Sequence, residues 1–182
     1  IPSMILGLDI STSIVGFTIV DQGEIVKTFA IDLRNKNKFP DIYSKYNHIQ
    51  GELLDIQREY KIEHIFIEQS LQMFRSGFSS AKTLSTLSSF NGVITYLCYR
   101  ELSIKPEHIP ASSARKACGI TIKKGTKAKE QVVKFLLDNE PCFVVEYTKS
   151  GNLKPKYYDI ADSIVIAKAG YTLVEQRKSK NS

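Results

Sequence analysis

The chain has 182 residues, 42% of them hydrophobic and 24% charged, which is enough for one domain with a sizeable core. No apolar run approaches the roughly 18 residues of a membrane span, and the first apolar stretch runs straight into Asp9 instead of forming a secretory signal. Cys98, Cys118 and Cys142 share no CxxC and read as reduced thiols, the three histidines are too isolated for a zinc site, and the net charge of +6 favours a polyanionic partner, nucleic acid first.

Ile1-Pro2-Ser3 precede a natural-looking start at Met4 and are expected to lie outside the fold. Met4 to Asp9 (MILGLD) is a short apolar strand ending in an acid, and Gly7 lets another backbone come close. After the turn-like Ser11-Thr12-Ser13, Val15 to Val20 reads as a second strand. Asp21-Gln22-Gly23 is a hairpin turn, and Glu24 to Ile31 a third strand. Three strands joined by tight turns predict an antiparallel meander. From about Asp41 to Tyr60, the spacing of Ile42, Tyr46, Ile49, Leu53 and Ile56 is helical. His64 to Glu68 (HIFIE) is a near-continuous apolar strand, as expected for one buried on both faces, and it too ends in an acid.

Gln69 to Ser80 is a polar stretch carrying Met73, Phe74 and Phe78. A long helix follows from about Ser79 to Leu102, then a short strand near Glu107 to Ile109. Helices are predicted at Ala111 to Ala117 and Lys127 to Asp138, around a lysine- and glycine-bearing turn, Thr121 to Thr126. Pro141 to Lys156 has turn signals at Ser150-Gly151-Asn152 and reads as a loop excursion. The closing helix spans about Tyr157 to Leu173, and residues 176–182 form a flexible basic tail. The order predicts one mixed α/β domain over residues 4–175.

Four acids stand out. Asp9 ends the first strand, Glu68 ends the fourth, and Asp159 and Asp162 share one face of the closing helix. If the first and fourth strands are parallel neighbours, their ends meet at one sheet edge, where ligand sites of open α/β sheets gather. Four carboxylates there favour hard divalent cations, Mg²⁺ or Mn²⁺. Two ions can clamp the attacking and leaving oxygens of an in-line phosphoryl displacement. Ile160, Ala161, Ile164 and Val165 read as the packing that holds this helix on the sheet. Asp162, one turn in, reads as the firmer ligand, and Asp159 at the helix mouth as the more mobile one.

ILGLDISTSIVGF, IFIEQS and YDIADSIVIAKA resemble the three acidic motifs of the RuvC-type Holliday junction resolvases, over nearly the whole chain after Met4. The resemblance implies an RNase H-like fold with a five-stranded mixed sheet, three antiparallel strands and then parallel ones, flanked by helices. It implies a homodimeric endonuclease that cuts four-way DNA junctions with two Mg²⁺ ions, Mn²⁺ substituting, leaving 5′-phosphate and 3′-hydroxyl ends. Asp9, Glu68, Asp159 and Asp162 become metal ligands and catalytic residues. Phe74 becomes the aromatic at the junction centre, with Phe78 the second choice. Arg115 or Lys116 and Lys129 become contacts to the scissile strand, and Lys123 and Lys124 phosphate contacts. The long helix, with Ala81, Leu84, Leu87, Phe90, Ile94, Leu97 and Cys98, becomes the dimer face.

No nucleotide cofactor and no membrane are expected, and the setting expected is cytoplasmic: bacterial, phage-infected or that of a cytoplasmic virus. Pro141 to Lys156 exceeds the equivalent bacterial connection and reads as an added DNA-contacting loop. LDISTSIVGF also resembles the first phosphate loop of actin and sugar-kinase ATPases, but no second phosphate loop follows. Another RNase H-like nuclease, acting on RNA–DNA hybrids, flaps or branched DNA, and a non-catalytic junction-binding scaffold remain as alternatives.

Overall fold

A computed structural model describes residues 3–69 and 80–181. Gln22 and Gly23 both take positive φ (51° and 86°), the backbone of a hairpin turn that matches the twist of its strands. The turn joins β2 (Ile14–Asp21) to β3 (Glu24–Asp32), and β1 (Met4–Asp9) pairs antiparallel with the other side of β2. Beyond β1, β4 (His64–Glu68) runs parallel to it and β5 (Glu107–Ile109) parallel to β4. The order across the sheet is β3-β2-β1-β4-β5, the predicted mixed five-stranded sheet.

Strand alternation sorts the core into two layers. Leu6, Leu8, Val15, Phe17, Ile19, Ile65 and Ile67 face α1 (Ile42–Glu59) and α2 (Ala81–Leu102). Ile5, Val20 and Phe66 face the other way, onto α3 (Ala111–Ala117), α4 (Ala128–Asn139) and α5 (Lys156–Lys180). Asp41 caps α1 by accepting from the Ser44 amide at 2.8 Å. From that helix Lys45 donates to the Thr12 carbonyl at 2.6 Å, pinning the loop after β1.

Small residues let α5 lie close on the sheet. A Cβ on Gly7 would stand 2.6 Å from the Ala167 nitrogen, and one on Gly16 would overlap the Asp159 carbonyl. Gly170 is covered by the Phe66 ring in the same way. Between these contacts the buried Thr18 and Ser163 hydroxyls meet at 2.7 Å, and Ser163 donates onward to the Ile160 carbonyl. Ile160, Ala161, Ile164 and Val165 are buried, as their spacing predicts.

The chain ends differ from expectation. The helical apolar spacing fades near Leu173, yet α5 continues to Lys180. Polar contacts hold the extra turns: Arg177 donates to both Glu107 carboxylate oxygens (2.9 and 3.0 Å), and Lys178 donates to the Ser3 hydroxyl at 2.6 Å. The basic tail expected from residue 176 is therefore helical through Lys180. Ser3, expected outside the fold, is buried against it.

The close approach at Gly16 is testable against Gly51, an α1 glycine whose Cβ would meet nothing within 4 Å. Gly16→Ala should cost about 1–3 kcal/mol by forcing α5 off the sheet. Gly51→Ala should stabilise by about 0.5–1 kcal/mol by restricting the unfolded chain. Urea denaturation of the two variants reads both signs. Equal effects would show that the Asp159–Gly16 contact imposes no constraint.

Candidate active site

At the C-terminal edge of β1 and β4 the sheet carries a row of neighbours. Ala30 pairs with Gly16, Gly16 with Asp9, and Glu68 with Ile109. Asp9 and Glu68 each follow the last parallel pair, Leu8 and Ile67, so they stand side by side. Alternation turns both towards α5: Asp9 shares the face of Ile5 and Gly7, and Glu68 that of Phe66. Asp159 and Asp162 come from the first turns of α5, directly above. The four predicted acids therefore meet.

Their electrostatics follow from that crowding. Asp9 is only 8% exposed, and burial, then repulsion from Glu68 and Asp162, raises its carboxyl well above the ordinary range. Burial likewise pushes Asp162 up to about 7, with Glu68 and Asp159 adding repulsion while Arg115 and Lys129 oppose the shift. Asp159 rises to about 6, again mainly through burial, countered by a hydrogen bond with Asp9 and by the Lys129 charge. A side-chain interaction with Glu68 adds to the rise at Asp9.

The donor set is all hard oxygen and carries unrelieved negative charge, which suits Mg²⁺ or Mn²⁺ and not softer metals. Among the described residues, no group of three or more acid, histidine or cysteine side chains stands in a geometry that could hold a metal ion. The Asp159 backbone carbonyl stands against Gly16, where a Cβ would overlap it.

Of the predicted DNA contacts, Arg115 in α3 and Lys129 in the first turn of α4 stand within electrostatic reach of the acids. Lys129 extends its ammonium over the Tyr158 ring, 5.6 Å from the centroid. Lys116 is exposed on α3. Lys123 and Lys124 are exposed on a turn closed by Thr126 donating to the Lys123 carbonyl. Phe74 and Phe78 lie outside the described residues.

Two groups at the site escaped the sequence reading. Arg34, two residues beyond β3, holds Asp32 with paired bonds of 2.9 and 2.7 Å and feels the Asp159 charge. Its signal was the D-x-R spacing at the end of a strand that borders the row. Buried Asn91 of α2 donates to the Glu68 carbonyl at 3.4 Å and meets His108 Nε2 at 3.0 Å through Oδ1. A polar residue between Phe90 and Ile94 on the buried side of a helix was the available clue.

No protein-family model and no curated protein matches the chain. Solved structures do match its fold. A T. thermophilus RuvC in complex with a Holliday junction substrate is 12% identical, with a TM-score of 0.65 and 96% of each chain covered. A second Thermus thermophilus RuvC structure is 14% identical, with a TM-score of 0.62 and the same coverage. The yeast mitochondrial Holliday junction resolvase Ydc2 is 20% identical, with a TM-score of 0.62 over 97% of this chain and 81% of that one. The chain shares their fold across almost its entire length.

The raised carboxyls give a signed dependence of stability on pH. Below about pH 4 they are protonated in both folded and unfolded chains. Between about pH 4 and pH 7 the folded protein keeps protons that the unfolded chain has released, so stability falls as pH rises. Metal-free protein should thus melt lower at about pH 8 than at about pH 5. Asp162→Asn should flatten that fall and raise Tm at the higher pH by roughly 3–6 °C. Millimolar Mg²⁺ should restore Tm in the wild type more than in the variant. A Tm in EDTA that does not change over this pH range would sink the account of carboxyls raised by burial and repulsion.

Proposed function

We propose that this protein is a metal-dependent endonuclease that resolves four-way DNA junctions by paired nicks in opposed strands. One observation carries the reading: Asp9, Glu68, Asp159 and Asp162 converge at the C-terminal sheet edge of a fold shared with junction resolvases. The basic surface beside the acids, the motif resemblance and the net charge of +6 support a DNA substrate.

The four acids would hold two Mg²⁺ ions, with Mn²⁺ as a substitute. Bound there, the ions supply the charge that activates water and stabilises the departing 3′ oxygen. The chain's own residues set the frame for that chemistry. Asp9, 8% exposed, is fixed on β1 between β2 and β4. Arg115 and Lys129 hold phosphates of the scissile strand over the carboxylates, fixing its position without reading sequence. Lys116, Lys123 and Lys124 extend that contact along the backbone, and Phe74 works at the junction centre. Asn91 and His108 brace the end of β4 so that Glu68 keeps its place.

A second copy completes the activity. In α2, Phe90, Ile94, Leu97 and Cys98 enter the chain's own core, but no residue from Ala81 to Ser89 is buried. Ala81, Leu84 and Leu87 in this half, with exposed Tyr96 and Tyr99 further along, offer a surface to a partner helix. A two-fold axis there would set two acid quartets against opposed strands of a pseudo-symmetric junction.

The direct assay digests a labelled four-way junction beside linear duplex, flap and RNA–DNA hybrid, with Mg²⁺ or EDTA. Junction cleavage in Mg²⁺ alone is expected, and preferential cutting of the hybrid would replace this reading with another nuclease of the same fold. Asp162→Asn should abolish cleavage yet leave junction binding in place. Wild-type cutting by that variant would remove Asp162 from the metal site. Light scattering should give a dimer, and a monomer both alone and on the junction would refute symmetric nicking.

A further inference from the structure

A second group of cations lies on the side of the molecule facing edge strand β3, apart from the DNA contacts already assigned. Residues 33–40 and 141–156 together carry six Lys or Arg side chains and one acid, Glu146, in a chain whose net charge is +6. The two segments are brought together by the fold. Residues 33–40 leave the end of β3, and the base of the second segment lies along the same strand. There Cys142, Phe143 and Val144 face Thr28, Phe29 and Ala30 across a cleft of about 340 Å³. The second segment then runs through Lys156 into α5, three residues before Asp159.

Both parts are held in shape. Residues 146–154 form a hairpin around the bridge between Tyr147 and Leu153, with Thr148 donating to the Asn152 carbonyl at 2.7 Å and Lys154 donating to that of Glu146 at 3.1 Å. Gly151, with φ of 84°, makes its turn. Tyr147 and Val144 are 57% and 75% exposed beside its lysines, a mixed apolar and cationic surface of the kind that packs on sugar and phosphate. Arg34 is fixed by its paired bonds to Asp32. These occupy two of the guanidinium N–H groups and leave others for a phosphate. A preformed surface loses little side-chain freedom on binding.

We propose that this β3-side surface, from Arg34 beside the acid quartet out to Tyr147 and Lys149 on the hairpin, is a second DNA-binding wall. It grips a duplex arm of the substrate on the side opposite Arg115 and Lys129. The inference rests on the nuclease reading above. It adds a strand path that crosses the carboxylates and continues over β3.

The test measures junction affinity against salt concentration in the full chain, with Mg²⁺ replaced by EDTA so that no cleavage intervenes. Removing a side chain that neutralises one phosphate should lower the slope of log K against log salt by about 0.9. Arg34→Ala and Lys149→Ala should each show that drop and weaken binding several-fold, and the double variant should show about twice the drop. Arg34→Lys should keep the slope. Lys61→Ala and Lys105→Ala remove the same charge at the opposite end of the sheet and should leave it unchanged. If the Arg34 and Lys149 variants match these controls while the wild type still binds and cuts junctions, the second wall is overturned and the nuclease reading stands. A wild type that binds no DNA overturns both. A slope that falls on single strands but not on duplex arms overturns the assignment to duplex.

Discussion

The site exists because α5 can lie almost in contact with β1 and β2. Two carboxylates about 4 Å apart repel by about 4 kcal/mol at an effective dielectric of about 20, and here four are gathered. What opposes that repulsion is the apolar underside of the same helix. Tyr157, Ile160, Ala161, Ile164, Val165 and Ile166 are all buried, and each large one contributes about 1.5–3 kcal/mol. The packing wins, so the acids are held together whether or not their charge is relieved. That balance also needs contact distance. Gly7 and Gly16 provide it, since a methyl group at either would meet the helix backbone.

Holding the acids in this way leaves them with a demand for positive charge. Burial first, and then the repulsion from Glu68 and Asp162, holds the carboxyl of Asp9 well above its usual range, so a proton there relieves part of the demand. At neutral pH a proton is expensive to keep, and a divalent cation offers more charge to the same oxygens. Arg115 and Lys129 lower the demand from outside but do not remove it, because Asp162 still stands near 7 with both in range. The chain therefore holds at this edge a repulsion that, on the proposed reading, a hard cation would discharge, and that repulsion makes the edge a weak point of the fold.

The acids and strands could be read from the sequence because strand ends carry position. Asp9 and Glu68 each close an apolar run, and a parallel pairing of those runs was enough to bring them together. The D-x-x-D spacing then supplied the other half. What could not be read was the depth of contact. Gly16 gave no sign that it is the seat of Asp159, since its partner lies more than a hundred residues away. The length of α5 was hidden for a similar reason: its last turns are held by Glu107 and Ser3, polar partners that leave no mark on hydrophobic periodicity. Arg34 and Asn91 were missed because each acts through a tertiary neighbour. Arg34 meets the site only once β3 is laid beside β2, and Asn91 only once α2 crosses the end of β4.

The distribution of charge matters more to function than the total. On the proposed nuclease reading, a protein of net +6 places its most concentrated negative charge where a phosphate would come closest, so the centre of the site would not itself attract the substrate backbone. Attraction would then come from the flanks, which in the proposed complex are built from segments far apart in the chain: α3 and the start of α4 on one side, residues 33–40 and the hairpin before α5 on the other. Exposed cations there are screened within about 8–10 Å at ordinary salt, so they act only on phosphates already near them. The buried carboxylates, by contrast, keep their mutual repulsion with little regard to salt. In the proposed function, grip and chemistry would thus be separated by burial: salt would weaken the hold on the backbone, while the charge state of the quartet would answer to protons and metal.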